Sequence, residues 1–291
     1  MLGDINKMIK SQIMNHQGLD EMIAFYNDVF GDVEVLESRD IKDHENDQFR
    51  HVRILDHEFY LMRGPHHPDK VPAIFYMVVF PESRRHELEQ LHVKLRDGGR
   101  DLGHVEDMKF SDNLYLLQDK YGVLWHFWAD EYCEAPGILP SLVMHDDMVG
   151  KIDEMKTYYE NIFEDVEFGE VSYLDNGLID HVSMRLLNYE LQVCETSEKD
   201  LFSLTAVSLL VLDCETQEEI DRYHNGLVSQ AYSAGWLKDK MGIVWIVDWV
   251  GMHNLLKDAN PKQAKAMFAA IDNAGPICIE DVKKAYEDNA E

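Results

Sequence analysis

The chain has 291 residues, 45% of them hydrophobic, and a formal net charge of −28. This length favours two domains, because single hydrophobic cores stop growing at roughly 250–300 residues. The acidic excess argues against a nucleic-acid partner, since phosphates are bound through clustered Lys and Arg. Apolar runs fall short of the ~20 residues of a membrane helix, and no secretory leader pattern is present, so we expect a cytoplasmic protein without a membrane partner.

The predicted elements alternate between strands and amphipathic helices. The peptide "KSQIMN" predicts a strand, and the apolar spacing in Asp20–Phe30 predicts a helix. Alternating apolar residues around Asp56 and His57 predict a two-residue hairpin. A second round follows, with the strand "AIFYMVVF", the helix "ESRRHELEQLHVKLRDGG" and a closing hairpin formed by "NLYLLQD" and "VLWHFW".

The second half of the chain repeats peptides of the first. "DEMIAFYNDVFGDVEVLE" from Asp20 matches "DEMKTYYENIFEDVEFGE" from Asp153 at half of its positions, and "ILDHEFYLM" matches "LLNYELQVC". "DKYGVLW" then recurs as "DKMGIVW". Three blocks in the same order indicate a duplicated unit of about 130 residues. We therefore predict units at residues 1–134 and 135–250, followed by a helical extension at residues 251–291.

The peptide Asp-Lys-x-Gly-[Val/Ile]-x-Trp begins at Asp119 in the first unit and at Asp239 in the second. Its glycine suits a hairpin turn, because glycine adopts backbone angles that other residues resist. We therefore expect a structural role for both aspartates. The residue after the Trp differs between the copies: it is His126 in the first and Ile246 in the second.

Each unit thus contains two βαβββ modules, which predicts an α+β protein with four modules. With "AFYNDVFG" after the first strand and "D-K-x-G-V-x-W" in the last hairpin, the sequence resembles the vicinal oxygen chelate superfamily, which includes glyoxalase I, extradiol dioxygenases and bleomycin-resistance proteins. "LDCETQEEIDRYHNGL", "AGWLKDKMGIVWIV" and the C-terminal tail resemble its PhnB-like branch of 3-demethylubiquinone-9 3-methyltransferase domains. The resemblance implies that the four modules form two cupped mixed sheets, each closed by a pair of modules around a cavity. Because no strand–Gly-rich loop–helix unit is predicted, the methyltransferase name does not imply a binding site for S-adenosylmethionine.

The resemblance also implies metal ligands on the first and last strands of each module. In this chain those positions fall near Ser11, Tyr60, Ile74, His126, Leu142, Gln192, Val207 and Ile246. A divalent ion of the Zn type requires at least three convergent N, O or S donors, and only His126 is a credible ligand in this set. The sequence therefore predicts no resident cofactor, with a divalent metal at His126 as the alternative.

The function predicted from these observations is binding of a small molecule in a metal-free apolar cavity. One alternative is a metal-dependent lyase, isomerase or dioxygenase of the glyoxalase I type that uses His126, and another is a structural pseudo-dimer without catalysis. Catalytic residues are not assigned, and pairing of two chains into a homodimer is a further expectation. The N-terminal unit, where His126 accompanies Tyr60, is predicted to hold the working cavity. The predicted ligand-binding residues are Tyr60, Tyr76, Trp125, His126, Gln192 and Trp245.

Overall fold

The structure is a computed structural model that describes residues 9–40, 48–64, 71–102, 116–203 and 207–290. The predicted order of strand, helix and further strands recurs four times. The first half contains β1 (Ile9–Asn15), α1 (Leu19–Phe30), β2 (Val33–Asp40), β3 (Gln48–Ile54), β4 (His57–Arg63), β5 (Val71–Pro72), β6 (Ile74–Pro81), α2 (Arg85–Leu95), β7 (Arg100–Asp101), β8 (Leu117–Gln118) and β9 (Leu124–Asp130).

The second half repeats this plan and ends in three helices. It contains β10 (Gly137–Met144), α3 (Ile152–Glu160), β11 (Val166–Phe168), β12 (Ser172–Tyr173), β13 (Ile179–Leu186), β14 (Tyr189–Glu195), β15 (Phe202–Ser203), β16 (Ser208–Cys214), α4 (Gln217–Leu227), β17 (Gln230–Ala231), β18 (Trp236–Lys238), β19 (Val244–Trp249), α5 (Val250–Asp258), α6 (Pro261–Ile271) and α7 (Ile279–Glu287). Asn260 caps α6 as predicted, since its side chain accepts a hydrogen bond from the backbone N–H of Gln263. Within the described ranges, none of the helices is long and apolar enough to cross a membrane.

The strands form two large mixed sheets, as predicted. The first sheet has the order β17-β18-β19-β16-β1-β4-β3-β2, and the second has the order β11-β13-β14-β10-β6-β9-β8-β7. Each sheet takes one module from each half of the chain, because β1 pairs with β16 and β6 pairs with β10, both antiparallel. The expectation that the two modules of one half close a sheet together is therefore wrong. Local sequence patterns identify modules, but long-range contacts select the partner of each module.

The repeated Asp-Lys-x-Gly peptide joins the helix and the last hairpin of the first half. Asp119 Oδ2 accepts hydrogen bonds from the Tyr26 hydroxyl and from Trp125 Nε1, both at 2.8 Å. Its Oδ1 accepts from the backbone N–H groups of Tyr121 at 2.9 Å and Val123 at 3.0 Å. All of these groups are buried. One carboxylate thus satisfies four donors that would otherwise lack partners.

The second half repeats this arrangement. Asp239 Oδ2 accepts from the Tyr159 hydroxyl at 2.8 Å and from Trp245 Nε1 at 2.9 Å, and its Oδ1 accepts from the backbone N–H of Ile243 at 2.8 Å. The structural role expected for the two aspartates is confirmed. The repeated Tyr, Asp and Trp are conserved between the halves because they form one buried hydrogen-bonded unit.

The predicted two-residue hairpins lie one residue earlier than expected. Ile54 pairs with His57 across the β3–β4 turn, so the turn residues are Leu55 and Asp56. Leu55 adopts a φ of 53°, a left-handed conformation that is uncommon for a residue with a side chain. A pattern of alternating apolar residues does not reveal this choice, because leucine is not a usual turn residue.

The first C-terminal helix, α5, closes the mouth of the first sheet. The strands β2 and β19 stand five positions apart in this sheet, which would separate them by roughly 24 Å if the sheet were flat. Nevertheless, Arg39 of β2 lies 3.1 Å from His253 of α5, directly after β19. Lys257 of α5 also forms a 3.0 Å ion pair with Glu37 of β2. The first sheet is therefore curled into a cup, and α5 bridges its two rims.

Candidate functional site

The concave face of the second sheet contains an open cavity of about 230 Å³. Strands from both halves contribute, because β6 and β9 belong to the first half and β10, β13 and β14 to the second. Alternate residues of a strand face the same side of a sheet, which brings side chains two positions apart into one surface. The cavity is lined by Met77, Val79, Trp128, Asp130, Leu139, His181 and Gln192.

Gln192 lines this cavity and carries a buried hydrogen-bond acceptor without a partner. It lies on β14, in register with Ser141 on β10 and with Ser183 on β13. Its Oε1 atom is buried and has no hydrogen-bond partner among the described residues. A buried acceptor without a donor costs about 1–3 kcal/mol, so a ligand that donates a hydrogen bond here would relieve this penalty.

Two further polar groups stand at this cavity. Asp130 ends β9, and its Oδ1 accepts a 2.8 Å hydrogen bond from the backbone N–H of Tyr132. The Nδ1 atom of His181 lies 2.9 Å from Asp180 Oδ2. Because a carboxylate oxygen accepts, Nδ1 carries the proton. The imidazole orientation is thereby set from outside the cavity. The predicted ligand-binding residues include neither Asp130 nor His181. The alternation of His126, Trp128 and Asp130 along β9 was a signal for Asp130.

His126 faces the same side of β9 as Trp128 but lies deeper. It is 1% exposed, pairs in register with Met77 of β6, and does not line the cavity. Burial lowers the pKa of His126 to about 4, so the imidazole is neutral at physiological pH. Its contact with a ligand or a metal stays a prediction.

The other predicted ligand-binding residues are distributed over three places. Gln192 lines the cavity of the second sheet, whereas Tyr60 belongs to the first sheet, so Tyr60 does not accompany His126. Tyr76, Trp125 and Trp245 are fully buried on the opposite faces of their sheets. These three therefore do not line the cavity of the second sheet, and their contact with a ligand stays a prediction. Their size and aromatic character are explained by core packing.

The positions expected for metal ligands do not form a donor set in the second sheet. The residues that stand beside His126 and Gln192 on this face are Met77 and Ser141. Ile74 and Leu142 pair with each other on the opposite face of the sheet, because each is one residue away from a position that faces the cavity. Of the four expected positions in this sheet, His126 is the one that carries a strong ligand, whereas a divalent ion requires at least three donors. The described residues at these positions therefore do not fit the metal that the superfamily resemblance implies.

Apolar side chains fill the cup of the first sheet. The packed residues there are Met14, Phe49, Tyr60, Leu209, Val211 and Ile246. The imidazole of His253 in α5 covers them, with ring centroids 5.1 Å from Phe49 and 5.9 Å from Tyr60. Ser11, expected at the bottom of this cup, instead faces the other side of β1 and contacts His57 at 2.8 Å. The first-strand register was one residue off, because β1 is buried on both faces and alternation gives no signal there.

A polar cluster lies at the rim of this filled cup. Asp213, Asp248 and His253 bring one oxygen or nitrogen atom each within 4.8 Å of the others, close enough to share an ion. However, His253 Nδ1 lies 3.1 Å from an Arg39 nitrogen, and arginine can only donate. The ring proton is therefore on Nε2, which donates to Asp248 Oδ2 at 2.9 Å. A metal would have to displace this proton, and Nδ1 would then become a donor that faces the Arg39 donor. The cluster therefore fits a hydrogen-bond network.

We expect added Mn²⁺ or Zn²⁺ at millimolar concentration to leave the melting temperature of the protein unchanged. The reason is the protonation state of His253, which leaves only two carboxylates as ligands at this cluster. Thermal denaturation with and without metal checks the expectation. Stoichiometric metal binding that disappears in Asp248→Asn but persists in the exposed control Asp147→Asn would contradict it.

Comparisons with known proteins agree with this architecture. Residues 137–248 match the family model of the 3-demethylubiquinone-9 3-methyltransferase family. Glyoxalase I from Zea mays superposes with a TM-score of 0.53 at 11% identity, over 82% of this chain and 90% of that chain. A point variant of the same enzyme gives a TM-score of 0.53 at 13% identity, over 83% and 94%.

A PhnB protein from Bacillus cereus has 20% identity and a TM-score of 0.36, over 42% of this chain and 98% of that chain. The curated proteins give no match. The likeness expected from the sequence is confirmed in two respects: residues 137–248 match the 3-demethylubiquinone-9 3-methyltransferase family model, and the chain has the fold of glyoxalase I.

Proposed function

We propose that this protein binds a small molecule in the cup of the second sheet. The observation that carries the proposal is an open cavity lined by Gln192, a residue whose buried Oε1 has no donor among the described residues. Four apolar side chains and three polar ones line that cavity, the mixture typical of small-molecule sites. The cavity of about 230 Å³ lies below the roughly 300–1,000 Å³ of drug-sized sites, which supports a small ligand.

The proposal places one binding site on each chain. The first sheet has the same strand plan, but its cup is filled by Phe49, Tyr60 and their neighbours and is covered by α5. A ligand there would have to displace packed side chains, the hydrogen bond from Arg39 to His253 and the ion pair of Lys257 with Glu37. The duplicated chain therefore forms one open cup and one closed cup. Each cup takes strands from both halves of the chain.

A metal-dependent lyase or dioxygenase is less well supported. His126 would be its first ligand, but Met77 and Ser141 stand where further strong donors are needed. The other alternative, a pseudo-dimer that only stabilises its own fold, gives no reason for an open cavity with an unpaired acceptor. The following experiment separates it from the proposed function.

Filling the cavity is expected to abolish ligand binding without unfolding the protein. Leu139 lines the cavity and is partly exposed, so the indole of Leu139→Trp can occupy the open space. A library of small amphiphilic molecules is screened by thermal shift against the wild type, Leu139→Trp and the control Val93→Trp, which changes a side chain 69% exposed on α2. We expect hits for the wild type and the control that Leu139→Trp loses. Hits retained in all three proteins, or no hit in any, would contradict the proposed function.

A further inference from the structure

We infer that the ligand of the second cup is a small organic cation with an apolar body. The inference rests on the proposed function and specifies the class of molecule that the cup selects. Among the described residues that line the cavity, the one with a formal charge is Asp130, and none is Lys or Arg. A ligand with a carboxylate or phosphate would meet a negative charge and find no cation to pair with.

The surroundings of the cavity add to this negative charge. The imidazole of His181 is held by Asp180, a second carboxylate at the rim. Arg185 lies on the same face of β13 as His181, but Asp165 at 2.6 Å and Glu167 at 2.7 Å neutralise it. The nearest basic side chain on this strand is therefore already paired outside the cavity. An acidic chain with a net charge of −28 would also attract a cation over long distances.

The hydrogen-bonding groups of the cavity select a donor. Gln192 offers an acceptor without a partner, and the Asp130 carboxylate retains acceptor capacity beyond its bond to Tyr132. An ammonium group combines N–H donors with a positive charge, so it suits a cavity that offers an acceptor and a carboxylate. A hydroxyl group supplies one donor and no charge, and a carboxylate supplies none.

The apolar part of the cavity suits the body of such a ligand. Met77, Val79 and Leu139 form the apolar wall on β6 and β10. Trp128 adds an indole, the side chain that attracts cations best through its π-electrons. A short aromatic or aliphatic amine therefore matches both the wall and the polar groups.

Three matched probes test the inference, since benzylammonium, benzyl alcohol and benzoate share a ring and differ in charge. Titration calorimetry is expected to give the tightest binding for benzylammonium, about fivefold to tenfold weaker binding for benzyl alcohol, and none for benzoate. Asp130→Asn should reduce the affinity for benzylammonium to that for the alcohol. Glu131→Gln, which neutralises the exposed neighbouring carboxylate, should leave the order unchanged.

The outcomes separate this inference from the proposed function. If benzyl alcohol or benzoate binds as tightly as benzylammonium and Leu139→Trp abolishes that binding, the cup binds small molecules but the cation class is wrong. Equal loss of benzylammonium affinity in Asp130→Asn and Glu131→Gln would also overturn the class, because a general surface charge would explain it. If none of the three probes binds the wild type, the inference fails, and the library screen alone decides the proposed function.

Discussion

Replacement of Asp119 by alanine is expected to lower the free energy of unfolding by about 4 kcal/mol. The change removes the shared acceptor of Tyr26, Trp125 and two backbone N–H groups, all of them buried. Each buried donor without a partner costs about 1–3 kcal/mol, and the lost carboxylate also leaves a small void. Denaturant unfolding followed by tryptophan fluorescence measures the change.

The exposed residue Asp97 provides a matched control, since Asp97→Ala should change the stability by less than about 0.5 kcal/mol. A loss below about 1 kcal/mol in Asp119→Ala would contradict the structural role of the repeated aspartate. Asp239→Ala should behave like Asp119→Ala, because the second half contains the same bonds.

The same group makes this effect depend on pH. Burial raises the pKa of Asp119 to about 6, although the hydrogen bonds from Trp125 and Tyr26 oppose the rise. In the unfolded chain the pKa is about 3.9, so between about pH 4 and pH 6 the folded state binds more protons than the unfolded state. The contribution of Asp119 to stability therefore falls as the pH rises through this window and levels off above it. The stability difference between the wild type and Asp119→Ala should accordingly be larger at pH 4.5 than at pH 7.

Replacement of His253 by alanine is expected to destabilise the protein by about 3 kcal/mol and to open the first cup. The variant leaves the half-buried Asp248 without its 2.9 Å donor and removes the ring that covers Phe49 and Tyr60. The loss of a hydrogen bond to a charged group and the loss of packing against two aromatic rings both destabilise the folded state. Chemical denaturation gives the stability, and binding of an apolar fluorescent dye reports the opened cup.

His86→Ala on the exposed face of α2 is the control, and neither property should change in it. Unchanged dye binding in His253→Ala would show that α5 does not close the cup. The packed side chains of the first cup would then close it alone, and the assignment of a single open site would stand.

Much of the fold was predictable because each module carries its own signals. The helix spacing at Leu19–Phe30 and the capped helix after Asn260 were readable locally, and the repeated peptides gave the number of modules. The partner of each module was not readable, since β1 and β6 present similar apolar patterns and only tertiary contacts decide that β1 joins β16. The register on strands buried on both faces was lost for the same reason, which misplaced Ser11 and Ile74.

The candidate site was only partly predictable. Gln192 was found because it occupies the position of a metal ligand in the resemblance, and its unpaired oxygen became visible only in three dimensions. His181 and Asp130 come from different halves, and their proximity follows from the exchange of modules between sheets. His253 carried no sequence signal, because its role depends on a helix that crosses from one rim of a curled sheet to the other.

The most direct test of the central claim follows the tryptophan indole N–H signals by nuclear magnetic resonance during titration with benzylammonium. Trp128 lines the open cup of the second sheet, whereas Trp236 packs against the apolar cluster of the first. Single Trp→Phe variants assign the two signals. We predict that the Trp128 signal shifts with saturation while the Trp236 signal stays in place. A shift of Trp236 instead, or saturable binding that moves neither signal, would contradict the assignment of the second cup as the binding site.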